Sequence, residues 1–175
     1  MGDPLGRQET YAQVRVRLQA LLAGEDDWVA ALATIVCELH SAFDYYDWTG
    51  FYRVTQPGLL VVGPYQGGHG CLRIPFSRGV CGAAARTLRT QRVDDVSLFP
   101  DHIACSSSTR SEIVVPVLSP KGSLLAVLDV DSDLQAAFSE VDQVELERIG
   151  EDLASRFPEG GGASSRQARA GAVPS

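Results

Sequence analysis

Residues 48–62, WTGFYRVTQPGLLVV, read as a β-hairpin. Residues 48–54 are aromatic and β-branched, Gln56-Pro57-Gly58 supplies the turn, and residues 59–62 continue as the return strand. A second hairpin is written in residues 112–117 and 123–130, around Ser119-Pro120-Lys121-Gly122. Two adjacent hairpins predict an antiparallel sheet. Upstream, Tyr11, Val14, Leu18, Leu21 and Leu22 repeat at helical spacing within residues 5–23. A second helix is expected after Asp26 as its cap, with Trp28, Leu32, Ile35, Val36, Leu39 and Phe43 inward and Cys37 buried on that face as a small hydrophobe. Downstream, Ser139 is placed to cap a last helix with Leu146, Ile149, Leu153 and Phe157 on its core face. Asp142 stands where a full capping box has a longer acid. Between the hairpins the sequence predicts a glycine-rich loop over 63–70, a short strand over 72–76, a helix over 83–89, a short strand from Val93 and a long loop over 97–111. The whole reads as an α+β sandwich, helices covering one antiparallel sheet.

The chain of 175 residues has room for one domain with a real core. We assign residues 1–157 to that domain. Residues 158–175, mostly Gly, Ser, Ala and Arg, are expected to form a disordered tail, dispensable from residue 159 onward. A net charge of −7 disfavours nucleic acid and anionic membrane surfaces as partners. No apolar run is long enough for a bilayer, and the N-terminus lacks a charged-then-apolar signal pattern, so a cytoplasmic location is expected.

Three of the four cysteines, Cys71, Cys81 and Cys105, fall in connections or at element ends beside glycine or histidine. In a reducing compartment such cysteines point to thiol chemistry or metal binding rather than to staples. In HIAC, residues 102–105, His102 lies close enough to Cys105 to favour its thiolate, although a solvated histidine beside an incidental thiol reads equally well. In RGVCG, Cys81 enters a helix whose N-terminus would stabilise an anion; tight packing of small residues is the alternative. Cys71 follows GGHG, and a flexible loop suits a thiol that must swing toward a sulfenic acid; a strand-start cysteine packing inward fits as well. Asp129 and Asp131, two apart on one strand, share a face near Glu112 on the neighbouring strand. Crowded carboxyls retain a proton and suit either an amino group or proton donation, unless they are ordinary strand-end acids. Trp48 and Tyr52 would wall an apolar pocket or simply fill the core.

Together DWTGFYRV, GPYQGGHGCLRIPFSRGVCG, VDDVSLFPDHIACSSSTRSEIVVPV and LLAVLDVDS resemble the free methionine-(R)-sulfoxide reductases, stand-alone GAF-domain enzymes, over residues 25–155. The resemblance implies a GAF-like antiparallel sheet of about six strands flanked by helices. It implies thiol-dependent reduction of free methionine-(R)-sulfoxide, with Cys105 as nucleophile, Cys71 as the resolving partner in a Cys71–Cys105 disulfide, and Cys81 as the additional site cysteine. Glu112, Asp129 and Asp131 correspond to the acids that contact substrate, one of them protonating the sulfoxide oxygen. Trp48 and Tyr52 correspond to the aromatics around its methyl end. Apart from the resemblance, few basic residues lie nearby, so the loop amides of His102, Ile103, Ala104 and Cys105 are expected to hold the substrate carboxylate. Thioredoxin as external reductant, a homodimer through the helix-rich layer, no bound cofactor and no metal complete what the resemblance implies. Ser106, Ala83 and His69-Gly70 depart from the family pattern. A non-catalytic GAF sensor is the main competing reading. A zinc site on Cys71, Cys81, Cys105 and His102 is disfavoured because the spacings lack paired CxxC motifs.

Overall fold

The computed structural model describes residues 4–101 and 106–161. Its elements are α1 (Pro4–Leu21), α2 (Trp28–Ala42), β1 (Trp48–Gln56), β2 (Leu59–Gln66), β3 (Arg73–Pro75), α3 (Gly79–Thr87), β4 (Gln91–Val93), β5 (Ser111–Leu118), β6 (Leu124–Ser132) and α4 (Glu140–Arg156), with a 3-10 turn at Val96–Leu98. The strands form one six-stranded antiparallel sheet in the order β3-β2-β1-β6-β5-β4. Both expected hairpins are present, and β1 joins them by pairing with β6.

Alternation along the central strands divides the molecule into two layers. Phe51, Ile113, Val115, Val117, Ala126, Leu128 and Val130 point to one face and pack with α1, α2 and α4 in the larger core. Trp48, Tyr52, Val114 and Val127 point the other way, toward α3 and the β2–β3 edge. A period of two on β1, β5 and β6 therefore decides which residues belong to the scaffold and which to the opposite, smaller layer.

On the helical side, Asp142 ties three elements together. Its carboxylate accepts from the Ser139 backbone N–H at 2.6 Å and hydroxyl at 2.7 Å, from Arg7 at 2.6 Å, from Tyr11 at 3.0 Å and from Tyr45 at 2.5 Å. The shorter acid in the capping position thus serves a tertiary hub as well as the helix start. Burial pushes this carboxyl up, but the Tyr45 and Ser139 hydrogen bonds and the Arg7 guanidinium outweigh it and hold it below the usual range.

Several expectations need correction. Cys37 is exposed, not buried. The inward stripe of α2 is Ala31, Leu32, Ile35, Val36 and Leu39, and Cys37 is turned about 100° past Val36 around the helix. Asp27, not Asp26, caps α2, its side chain accepting from Ala30 N–H. β2 runs on to Gln66, so the glycine loop begins later than residue 63; Gly63 and Pro64 lie within a strand that pairs on through Tyr65 and Gln66. α3 starts at Gly79 rather than residue 83. The stretch 97–111 opens inside the 3-10 turn, held by the Asp95 side chain accepting from Ser97 N–H. At the other end, Gly160 N–H donates to Phe157 O at 2.9 Å, and a Cβ on Gly161 would come within 2.8 Å of Trp28. Residues 158–161 therefore turn back against α2, and the rest of the expected tail lies outside the described residues. Among the described residues no helix is long and apolar enough to cross a membrane.

Candidate active site

Three adjacent strands build the floor of a cavity. In one rung Trp48 faces Asp131, which faces Glu112; in the next Gly50 faces Asp129, which faces Val114. The register therefore sets all three acids on the face away from the main core. α3 lies over them and contributes Cys81, whose thiol donates to Asp129 Oδ2 at 3.2 Å and lies 3.9 Å from Glu112 Oε1. The Glu112 and Asp129 carboxyls converge at this sulfur, one oxygen of each lying within 4.8 Å of the other. The second oxygen of Asp129, Oδ1, is buried and has no hydrogen-bond partner.

Electrostatics follow from this crowding. Burial first, then the charges of Asp129 and Asp131, push Glu112 well above the usual carboxylate range. Burial pushes Asp129 up to about 7, with hydrogen bonds from Cys81 and Glu112 pulling the other way. Asp131 is raised by burial and by its neighbours Asp129, Asp133 and Asp47. The cluster thus holds protons that isolated carboxylates release. Cys81 is raised too, by burial and then by Asp129 and Glu112. Of the two readings of RGVCG, tight packing of small residues is the one that describes Cys81: burial, and then the facing carboxyls, outweigh what the helix end offers a thiolate.

One wall is aromatic. The Trp48 indole stacks between Tyr52 at 5.7 Å and Tyr65 at 5.4 Å, and its Nε1 donates to Gly68 O at 3.1 Å. Its ring edge passes over Gly50, where a Cβ would lie 2.5 Å away. Gly67 has φ +105° and its missing Cβ would stand 2.5 Å from Asp47 O, so this position needs glycine on both counts. A Cβ on Gly70 would lie 2.9 Å from Trp48 and 3.0 Å from the Tyr52 hydroxyl. The unusual Gly70 before Cys71 therefore lets the loop close on the aromatic wall. Ile74, Val80, Ser106 and Thr109 complete the lining, and His69 lies at the same cavity.

Cys71 is disulfide-bonded. Cys105, His102, Ile103 and Ala104 lie outside the described residues, so the Cys71–Cys105 pairing is taken up below as a proposal. Their two flanks are described: Asp101 O accepts from Gly79 N–H at 3.1 Å at the start of α3, and Ser106 lines the cavity. The structure brings Trp48, Tyr52, Cys81, Glu112, Asp129 and Asp131 together at one cavity. Sequence reading missed Gly50 and Tyr65. Alternation through Gly63 and Pro64 was the only signal for Tyr65, and a Gly-Pro pair normally ends a strand.

Residues 23–156 match the GAF domain family model. The free methionine-R-sulfoxide reductase of Escherichia coli is 38% identical over 145 residues, 83% of this chain and 87% of that one. The Saccharomyces cerevisiae protein of the same description is 37% identical over 151 residues, 83% of this chain and 84% of that one. The X-ray structure of free methionine-R-sulfoxide reductase from Neisseria meningitidis in complex with its substrate superposes with a TM-score of 0.83 at 43% identity, covering 96% of this chain and 95% of that one. This chain is a GAF-domain protein. Within that class it belongs to the free methionine-R-sulfoxide reductase family.

Proposed function

We propose that this protein is an oxidoreductase that reduces free methionine (R)-sulfoxide to methionine. The observation that carries the reading is the cluster of buried Glu112 and Asp129 with half-buried Asp131, with Cys81 against it and one Asp129 oxygen unpartnered, at the base of an aromatic-walled cavity. A sulfoxide oxygen leaves poorly until protonated, and carboxyls that stay protonated near neutral pH can supply that proton. The free amino group of the substrate is a cation, which suits the remaining negative charge and the bare Asp129 oxygen. Trp48 and Tyr52 present apolar faces to the methyl end.

In the reaction the Cys105 sulfur attacks the sulfoxide sulfur. The S–O bond breaks with the oxygen carried to Cys105 as sulfenic acid, and methionine leaves. The Cys71 thiol then displaces that oxygen as water and forms the Cys71–Cys105 disulfide. The dithiol of thioredoxin reduces the disulfide by exchange and is itself oxidised. No bound cofactor or metal takes part. Support comes from the disulfide at Cys71 and from Ser106, the covalent neighbour of Cys105, lining the cavity. We place the enzyme in a reducing cytoplasm, as a homodimer whose helical layer meets its copy through α1, where Leu5, Val16 and Leu21 are exposed.

The test is turnover of the separated epimers with thioredoxin, its reductase and their reductant. The R epimer is turned over, while the S epimer and the N-acetylated sulfoxide are nearly inert. Equal turnover of the blocked sulfoxide sinks the free-amino-acid reading, and no turnover of any sulfoxide leaves a ligand-binding GAF sensor in its place.

A further inference from the structure

We propose that Cys81, Glu112 and Asp129 also form a binding site for a thiophilic divalent cation of the zinc and cadmium class, which excludes substrate from the cavity. The exclusion rests on the reductase reading above; the ion site rests on geometry alone. One ligand atom from each of the three side chains lies within 4.8 Å of the other two. The Cys81 sulfur is 3.2 Å from Asp129 Oδ2 and 3.9 Å from Glu112 Oε1. Zinc bonds of about 2.3 Å to sulfur and about 2.1 Å to oxygen set the edges of a tetrahedron at about 3.3–3.7 Å. The two sulfur–oxygen edges bracket that range and the oxygen–oxygen pair lies within 4.8 Å, so an ion is held between the side chains once the two carboxyls close on it.

A second observation points to a cation. Asp129 Oδ1 has no hydrogen-bond partner, although the residue is only 4% exposed. A bare carboxylate oxygen in a buried place is costly unless something positive sits against it. In the absence of an ion the Cys81 thiol donates its proton to Asp129 Oδ2, and the crowded carboxyls beside it share a further proton. Exchanging two protons for one divalent ion leaves its net charge unchanged, with both protons released to solvent.

The donor set selects the ion. One thiolate with two carboxylates suits a borderline-soft metal, whereas calcium and magnesium require about six oxygens or more. Three protein ligands leave a fourth position, which the cavity supplies. That position coincides with the seat proposed for the substrate's amino group. The ligand set differs from the zinc arrangement considered from sequence, because Cys71 is held in a disulfide and is not available.

The experiment uses full-length Cys37→Ser protein in its oxidised form. Cys71 is then blocked, and Cys81 is the free thiol among the described residues. Cadmium titration is expected to raise a thiolate-to-metal ultraviolet charge-transfer band that saturates at one equivalent and is displaced by zinc. Adding Cys81→Ser abolishes the band. Asp129→Asn keeps the band but weakens binding by about tenfold or more, an outcome that does not depend on the Cys81 variant folding. Free methionine (R)-sulfoxide raises the apparent Kd. Absence of the band, or a band unchanged by Cys81→Ser, overturns the site. A saturable band indifferent to the sulfoxide overturns the exclusion. The reductase reading fails separately, by lack of turnover in metal-free protein.

Discussion

Cys37 and Cys81 are both free thiols, yet one meets water and the other two carboxyls. Cys37→Ser should therefore cost less than about 0.5 kcal/mol, the usual range for surface changes. The Cys81 thiol, held protonated, is a poor nucleophile. The proposed reaction gives the attacking role to Cys105, and the variants separate the thiols. Cys105→Ser should release no methionine even in a first turnover. Cys71→Ser should release one per subunit and then stall with thioredoxin, as read by mass spectrometry. A stoichiometric burst from Cys105→Ser, with none from Cys81→Ser, would move the nucleophile. The acids give a second prediction. A proton donor works only while protonated, and burial beside Glu112 and Asp131 sets Asp129 at about 7. The kcat/KM of the wild type should fall as pH rises past about 7. Asp129→Asn should shift or remove that limb and lower the plateau by about 10²-fold or more. A profile that stays flat to about pH 9 would separate the cluster from proton transfer.

At the scale of elements, glycines rather than side chains fix where the walls of the cavity meet. Gly82 of α3 would place a Cβ 2.8 Å from Phe76 O and 2.9 Å from Pro75 O, backbone atoms that can yield only if β3 moves. Gly82→Ala should cost about 1–3 kcal/mol and move Cys81 off the acids. Gly70→Ala meets rings instead, Trp48 and the Tyr52 hydroxyl. It should leave the melting temperature nearly unchanged and raise KM. Thermal melts with steady-state kinetics on both variants check the contrast, and the reverse pattern would refute it. The same elements show what sequence can and cannot disclose. The hairpins, the faces of α2 and α4 and the acid pair were legible because burial imposes periods of 2 and 3.6 on side-chain type. The start of α3 was not, since Gly79 enters at φ +70° behind an Arg78 that makes no side-chain cap. The alternation that reaches Tyr65 is masked by Gly63-Pro64, and the seat of the indole over Gly50 depends on contacts between β1 and β2, which no local pattern encodes.

Over the whole molecule, two acid systems pull stability in opposite directions with pH. Asp129 is raised above its unfolded value of about 3.9, so its contribution is fully present below that pH and is lost as pH rises toward about 7. Glu112 and Asp131 are raised and act in the same sense. Asp142 is depressed, so its contribution is present above about 3.9 and is lost as pH falls through its lower folded value. Asp129→Asn should therefore raise the melting temperature above pH 7 and flatten the curve between about pH 4 and 7. Asp142→Asn should lower the melting temperature at neutral pH and flatten the acid limb. Melting curves across pH decide this, and an Asp129→Asn protein less stable than wild type at pH 8 would contradict it. Activity is thus paired with a local instability on one face, offset by the Asp142 hub on the other.

The chain has two tryptophans, and the two layers keep them apart. Trp28 lies against Phe157 in the helical core, while Trp48 stands in the cavity wall between two tyrosines. Replacing Trp28 with phenylalanine would leave a single indole emitter at the site of chemistry. Its emission would respond to a ligand filling the cavity and to sulfur atoms, whose thiolate and disulfide forms quench excited indoles to different degrees. The fold thus carries its own optical gauge, with which successive steps could be timed in a stopped-flow instrument without attaching a dye.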